Sequence, residues 1–346
     1  MKKTIVALAV AAVAATSANA ATVYNQDGTK VDVNGSVRLF LKKEKDKRGD
    51  LMDNGSRVSF KASHDLGEGL SALAYAELRF STDVKNKDGE VTKQPIGNDV
   101  HLKRLYAGFA YEGLGTLTFG KQLTIGDDVG VSDYTYVLGG INNLLSSGEK
   151  VINFKSAEFN GLTFGGAYVF ADDANKNGLR DGRGFVVTGL YNRKIGDVGF
   201  AFEAGYSQKY VKQEVSPAAP PTPAVFKDEK EKAFMVGAEL SYAGLALGVD
   251  YAQSKVTNID GKKRALEVGL NYDLNDKAKV YTDFIWAKKE GPKGKVTRER
   301  TIILGAGYKL HKQVETFVEG GWGREKDANG VTTKDNVVGV GLRVHF

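Results

Sequence analysis

Cysteine is absent from this chain. Disulfides, thiolate metal sites and a cysteine nucleophile are therefore excluded, and an exported chain would have to hold together by other means. Only 6 prolines interrupt 346 residues, so extended segments can run long without a break. Past residue 20, no stretch approaches the roughly eighteen consecutive apolar residues of a membrane-spanning helix. Helical periodicity is nearly absent as well. The formal net charge is a modest +6, and the cations are scattered rather than gathered on one face, which argues against nucleic acid as a partner. The four histidines, His64, His101, His311 and His345, are spread over separate segments.

The amino terminus has the layout of an export signal. Lys2 and Lys3 precede an apolar run from Ile5 to Ala15, and Ser17-Ala18-Asn19-Ala20 ends in an A-x-A pattern. This predicts a cleaved signal peptide over residues 1–20 and one exported domain over 21–346. Glycine is abundant at 42 residues, with 15 Tyr and 17 Phe, while the mean hydropathy is negative. A transmembrane barrel combines these properties, because half of each strand faces water.

Period-two alternation dominates. Val31, Val33, Val37, Leu39 and Leu41 alternate with Asp32, Asn34, Ser36 and Arg38. Leu70, Ala72, Ala74, Ala76, Leu78 and Phe80 alternate with Ser71, Glu77 and Arg79. About sixteen such segments follow one another, most of them long enough for a tilted strand to cross a bilayer. The connections take turns between tiny, such as Asn160-Gly161 and Ala243-Gly244, and long and charged, such as Lys42 to Asp53, Gln122 to Ser147, Lys212 to Lys230 and Lys288 to Thr297. That asymmetry is the polarity of an outer-membrane barrel. Apolar-parity aromatics cluster at both strand ends: Tyr111, Tyr191, Tyr242, Tyr272 and Tyr308 near short turns, Phe80, Phe170, Tyr206, Tyr251, Trp286 and Trp322 near long loops. The last segment, Val338 to Phe346, is expected to pair with Val31 to Leu41 and close the barrel, because an open edge in lipid is untenable. An even strand count puts both termini on the periplasmic side.

Arg38, Arg57, Lys61, Arg79, Arg104 and Lys155 share the polar parity of their strands, so they are expected to line an enclosed water column. Catalysis and metal binding find little support. A barrel lipase would need an outward Ser and His, and His64 is the one plausible base. Asp173-Ala174-Asn175-Lys176-Asn177-Gly178 resembles the start of a calcium loop, but its twelfth position is Gly184 rather than Glu. Pro217, Pro220, Pro221 and Pro223 mark an extended external segment. No cofactor is expected.

The residues also resemble a family. The run from Ala21 to Asp32, Gly55-Ser56-Arg57-Val58-Ser59-Phe60-Lys61, Arg104-Leu105-Tyr106-Ala107-Gly108-Phe109 and the terminal Phe346 resemble Gram-negative general porins, most nearly the Pasteurellaceae-type major outer-membrane porin. The resemblance implies an all-β fold: a 16-stranded antiparallel transmembrane β-barrel, assembled as a homotrimer, whose third external loop folds into the lumen and sets acids against a basic wall. By position that loop is Gln122 to Ser147, with Asp127, Asp128 and Asp133 as the constriction acids. The family's basic wall carries over to Arg57 and Arg104, and more loosely to Arg38. Where many relatives read Pro-Glu-Phe-Gly-Gly, this chain reads Tyr136-Val137-Leu138-Gly139-Gly140, without the acid. The implied partners are outer-membrane lipid and lipopolysaccharide, further copies of the chain, and small polar solutes and ions. A substrate-specific channel, or a plugged adhesin or structural barrel, would be the alternatives to a passive pore.

Overall fold

The computed structural model describes residues 20–81, 83–85, 91–93, 96, 99–171, 182–216, 225–257, 261–291 and 294–346. The segment read as a signal peptide lies, but for Ala20, outside the described residues; so do the calcium-loop resemblance and the four clustered prolines. No helix among the described residues is long and apolar enough to cross a membrane.

Long strands dominate, as alternation without proline predicts. The barrel strands are β1 (Thr29–Glu44), β2 (Arg57–Gly67), β3 (Leu70–Ser81), β4 (Asp99–Tyr111), β5 (Gly115–Leu123), β6 (Ser147–Ser156), β7 (Leu162–Val169) and β8 (Gly184–Ile195). They continue as β9 (Val198–Ser216), β10 (Val225–Tyr242), β11 (Leu245–Val256), β12 (Gly261–Asp273), β13 (Ala278–Glu290), β14 (Val296–His311), β15 (Val314–Lys326) and β16 (Thr332–His345). Each pairs antiparallel with its sequence neighbours, and β16 returns to β1, giving a closed barrel of sixteen strands. Two of the short turns, Asn160-Gly161 and Ala243-Gly244, hold both residues at positive φ. That geometry matches the right-handed twist of the flanking strands and explains how the connection can be so short.

Closure differs in register from the expected pairing over Val31 to Leu41. β16 pairs with β1 over Ser36–Glu44, and the first half of β1 instead pairs with a short strand, Ala21–Gln26. That strand covers backbone groups of β1 which β16 is too short to reach. Phe346 ends the seam: its N–H donates to the Gly35 carbonyl at 2.9 Å and its carbonyl accepts from Gly35 N–H at 2.7 Å. The Phe346 ring lies over Gly35, where a methyl group would fall 2.1 Å from the ring.

Several stretches that read as charged loops are strand. β9 and β10 remain paired up to Ser216 and Val225, while β11 to β16 run through about half of Lys255–Lys263, Lys288–Thr297 and Glu325–Asp335. Above the bilayer both faces of a strand meet water, so alternation disappears while the ladder continues. Within the alternating part, the apolar parity faces out: Leu41, Phe60, Val249, Leu304 and Val340 are all exposed. The opposite parity is where Asp250, Glu267, Asp283 and Glu319 are buried. In a closed sheet, that buried polar face is the inner one.

Candidate functional site

The polar face carries two opposed regions of charge. On β1 to β4 and β16 stand five arginines. Arg57 is directly opposite Arg79, Arg38 directly opposite Arg343, and Arg104 directly opposite Glu77. Among the described residues two carboxylates serve them. Glu77 accepts from Arg79 Nε at 2.7 Å and lies 3.6 Å from Arg104 Nη1, and Glu315 lies 3.8 Å from Arg343 Nη1. Among the described residues five guanidinium groups thus meet two carboxylates, a positive surplus, and like charges directly opposite one another on a sheet repel. A β-bulge in β4 adds to it. Glu77 pairs with Arg104 and Leu78 with Leu102, which leaves Lys103 unpaired in the ladder and within electrostatic reach of Arg79 and Arg104.

The second region is acidic and holds the segment between β5 and β6. The Asp250 Oδ2 accepts from Val131 N–H at 2.8 Å, Ser132 N–H at 2.7 Å and Ser132 Oγ–H at 2.6 Å. Glu203 accepts from Gly130 N–H, Glu267 from Gly140 N–H, and Glu319 from the N–H groups of Tyr136 and Val137. Carboxylates thus do for this segment what a neighbouring strand does elsewhere, satisfying backbone donors on the polar face. Glycines make room. A methyl group at Gly248 would lie 2.6 Å from the Val131 carbonyl oxygen, and one at Gly269 only 1.8 Å from that of Ser132.

Apolar contacts fix both ends of the segment. Ile125 packs with Val151, Ala167, Val169 and Val186, and Val129 and Leu144 pack with Leu190, Met235 and Ala252. A short 3-10 turn, Ile125–Asp128, is capped by Thr124, whose hydroxyl accepts from Gly126 N–H. At the tip, the Tyr136 ring stacks on Phe317 at 4.2 Å between centroids, with Lys279 and Arg343 against its faces at 4.6 and 4.7 Å. Arg343 Nη2 also donates to the Tyr136 carbonyl at 2.7 Å.

The three acids singled out in this segment part company. Asp128 accepts from Lys155 Nζ of β6 at 2.7 Å. Asp127 faces the arginine wall; desolvation pushes its carboxyl above the ordinary value, the Arg104 guanidinium opposes that rise, and Asp128 adds to it. Asp133 instead accepts from the N–H and hydroxyl of Thr135 and closes a local turn. Among the six predicted wall cations, Arg38, Arg57, Arg79 and Arg104 stand together, Lys155 meets the segment on the other flank, and Lys61 is coupled to Asp32 and Lys30, nearer the short turns. Sequence reasoning overlooked Arg343, Lys103 and every carboxylate that holds the segment. Except for Lys103, which the bulge places, their inward parity was readable; the segment they would meet was not. His64 shares a 2.6 Å hydrogen bond with Thr29, not with a serine. No group of three His, Asp or Glu among the described residues is arranged to hold a metal ion.

A closed barrel of sixteen strands, with an apolar exterior and a charged interior, is the architecture of an outer-membrane pore protein. The family model described as Gram-negative porin matches residues 7–328, and the chain belongs to that family. It is 91% identical to a major outer membrane protein of Pasteurella multocida strain Pm70, covering 100% of both chains. Among solved structures, in-vitro folded OmpT of Vibrio cholerae superposes with a TM-score of 0.72 at 21% identity, covering 94% of this chain and 99% of that one. Salmonella typhi OmpF in complex with daunomycin does so with a TM-score of 0.68 at 16% identity, covering 94% and 100%. Those two structures share the fold. The protein is a multi-pass β-barrel of the outer membrane.

Proposed function

We propose that this porin passes ions and small hydrophilic solutes by passive diffusion, through a water column narrowed where the segment Gln122 to Ser147 crosses the inner face. One observation carries the reading. The segment is tied by its backbone to the acidic side of the barrel, while Asp127 and Asp128 face the surplus of cations on the other. Fixed charges of opposite sign across a narrow passage set a transverse field, which sorts solutes by charge and size without holding them tightly. Arg38, Arg57, Arg79 and Arg104 form the positive side of that passage, with Lys155 bound to Asp128 at its flank and Lys61 nearer the periplasm.

A substrate-specific channel would need a continuous track of aromatics. The inward rings form separate groups instead, Tyr75 with Tyr106 and Phe40 with Phe317 and Tyr136. The reading involves no catalysis, since the base a barrel lipase would use is engaged by Thr29. Export by cleavage after Ala20, periplasmic termini and assembly as a homotrimer complete it, with the outward apolar face shared between lipid and neighbouring copies. Planar-bilayer recording tests the function. Stepwise, ohmic current is expected, with no saturating block by a single sugar. A silent bilayer would favour the plugged barrel, and a saturating block the specific channel.

A further inference from the structure

Near the short turns, one row of the polar face is hollow. Lys194, Gly199, Ser241, Ala246, Asn271 and Tyr281 stand directly opposite one another in succession from β8 to β13. Between Lys194 and Asn271 the row holds small residues, and the inner wall sinks there into a cavity of about 320 Å³. The next row toward the long loops is Ala201, Glu239, Gly248, Gly269 and Asp283. The segment Gln122 to Ser147 crosses that row: Tyr134 donates its hydroxyl to Glu239 at 2.6 Å, and Ser132 lies against Gly248 and Gly269. The cavity therefore opens on the short-turn side of the segment, where a solute that has passed it arrives next.

Its flanks carry the information about a ligand. Among the described residues that line it, Lys194 is the cation and Asp197 and Asp273 are the acids, all three exposed. Asn271 is 9% exposed; its Nδ2 donates to Asp273 Oδ1 at 3.1 Å, and its Oδ1 has no partner among the described residues. A buried amide oxygen left unpaired is costly, and a donor entering from the cavity removes the cost. An ammonium group is the donor that fits, because Asp273 beside it supplies the counter-charge. The anionic end of the same molecule belongs at Lys194. A dianion would meet two carboxylates with one lysine, and a diamine would set an ammonium beside Lys194, so the charge pattern selects a zwitterion. Spacing sets its length. Four strand intervals of about 4.8 Å separate the backbones of β8 and β12, about 19 Å in all. The flexible stem of Lys194 and the shorter side chain of Asp273 close part of that gap. A tripeptide, at roughly 3.3–3.6 Å per residue, spans the rest, whereas the two charges of a single amino acid lie too close together.

We propose that this hollow is a binding site for short zwitterionic peptides, with the amino end between Asn271 Oδ1 and the Asp273 carboxylate and the carboxyl end at the Lys194 ammonium. It rests on the pore reading for the peptide's route past the segment. Full-length barrel in deuterated detergent is titrated with Ala-Ala-Ala, and binding is read by saturation transfer to the peptide methyl groups. Current through the same preparation is recorded separately in a planar bilayer. N-acetyl-Ala-Ala-Ala, Ala-Ala-Ala-amide and free alanine are expected to bind at least tenfold more weakly than Ala-Ala-Ala. These comparisons use the parent protein, so they need no variant to fold. Lys194→Gln and Asp273→Asn should each weaken the tripeptide at least fivefold, and Lys194→Arg should retain it. In Asp273→Asn the acetylated and free peptides should bind alike, as should the amide and the free acid in Lys194→Gln. Lys309→Gln, on the inner face two strands beyond β12, should leave binding as it is. Equal binding of free and blocked peptides, transfer that does not saturate, or binding that survives both Lys194→Gln and Asp273→Asn overturns the proposal. Saturable binding to a barrel that carries no current would overturn the pore reading and leave the site standing. A conducting barrel that ignores the peptide does the reverse.

Discussion

Asp250 accepts both the backbone N–H and the hydroxyl of Ser132 through one carboxylate oxygen, and takes the Val131 N–H on the same atom. Hydrogen bonds to a charged acceptor contribute about 1.5–3 kcal/mol each, and backbone donors stranded without a partner cost a similar amount. Asp250→Ala should therefore loosen the segment while the strand ladders hold the barrel together. Single-channel records are expected to show higher open-channel noise than the parent, with the heat-resistant folded band on gels retained. Records indistinguishable from the parent would mean that this carboxylate does not hold the segment.

Gly269 tests the same contact from the wall. The Cβ of Gly269→Ala would collide with backbone, which cannot rotate away as a flexible side chain can. The segment must shift off the sheet, so the conductance of Gly269→Ala should change measurably. Gly189→Ala, where nothing lies within 4 Å, should leave it unaltered.

These contacts mark the limit of what the sequence carried. The membrane-level strands, their parity and the short connections were legible, because lipid on one side and water on the other impose a period of two. The inward parity of Arg57 and Arg104 was legible for the same reason. The segment Gln122 to Ser147 has no such period, and its partners Asp250, Glu267 and Glu319 come from strands more than a hundred residues away in the chain. No local pattern encodes that docking. Asp133 illustrates the point: it sits in the same acidic stretch as Asp127 and Asp128, yet its hydrogen bonds are to Thr135. The charged tops of β11 to β16 were misread as loops, since the pattern that reveals a strand stops where lipid stops.

Loop charge should set ion preference. Asp127→Asn with Asp128→Asn removes the negative side facing Arg104, Arg79 and Lys155, so the reversal potential in a salt gradient should move toward anions. Asp133→Asn, bound to its own turn, should move it less. Equal shifts from both variants would place Asp133 in the passage as well.

Acid should act through Asp127. Its carboxyl is raised by desolvation, so as pH falls it takes up a proton before an ordinary surface aspartate does. Neutralising it removes loop charge, and the reversal potential should move toward anions from the early part of an acid titration. In Asp127→Asn that early part should be missing. A titration identical in both proteins would assign the change to other groups.

Because the chain has no cysteine, a single one can report which face meets the water column. Lys61 and Phe60 are adjacent on β2, the first on the polar face and the second exposed on the apolar face. Lys61→Cys should react with a membrane-impermeant thiol reagent in a planar bilayer and lower the current in discrete steps, while Phe60→Cys stays unreactive and its current constant. Reaction at Phe60→Cys with silence at Lys61→Cys would turn the barrel inside out and contradict the account.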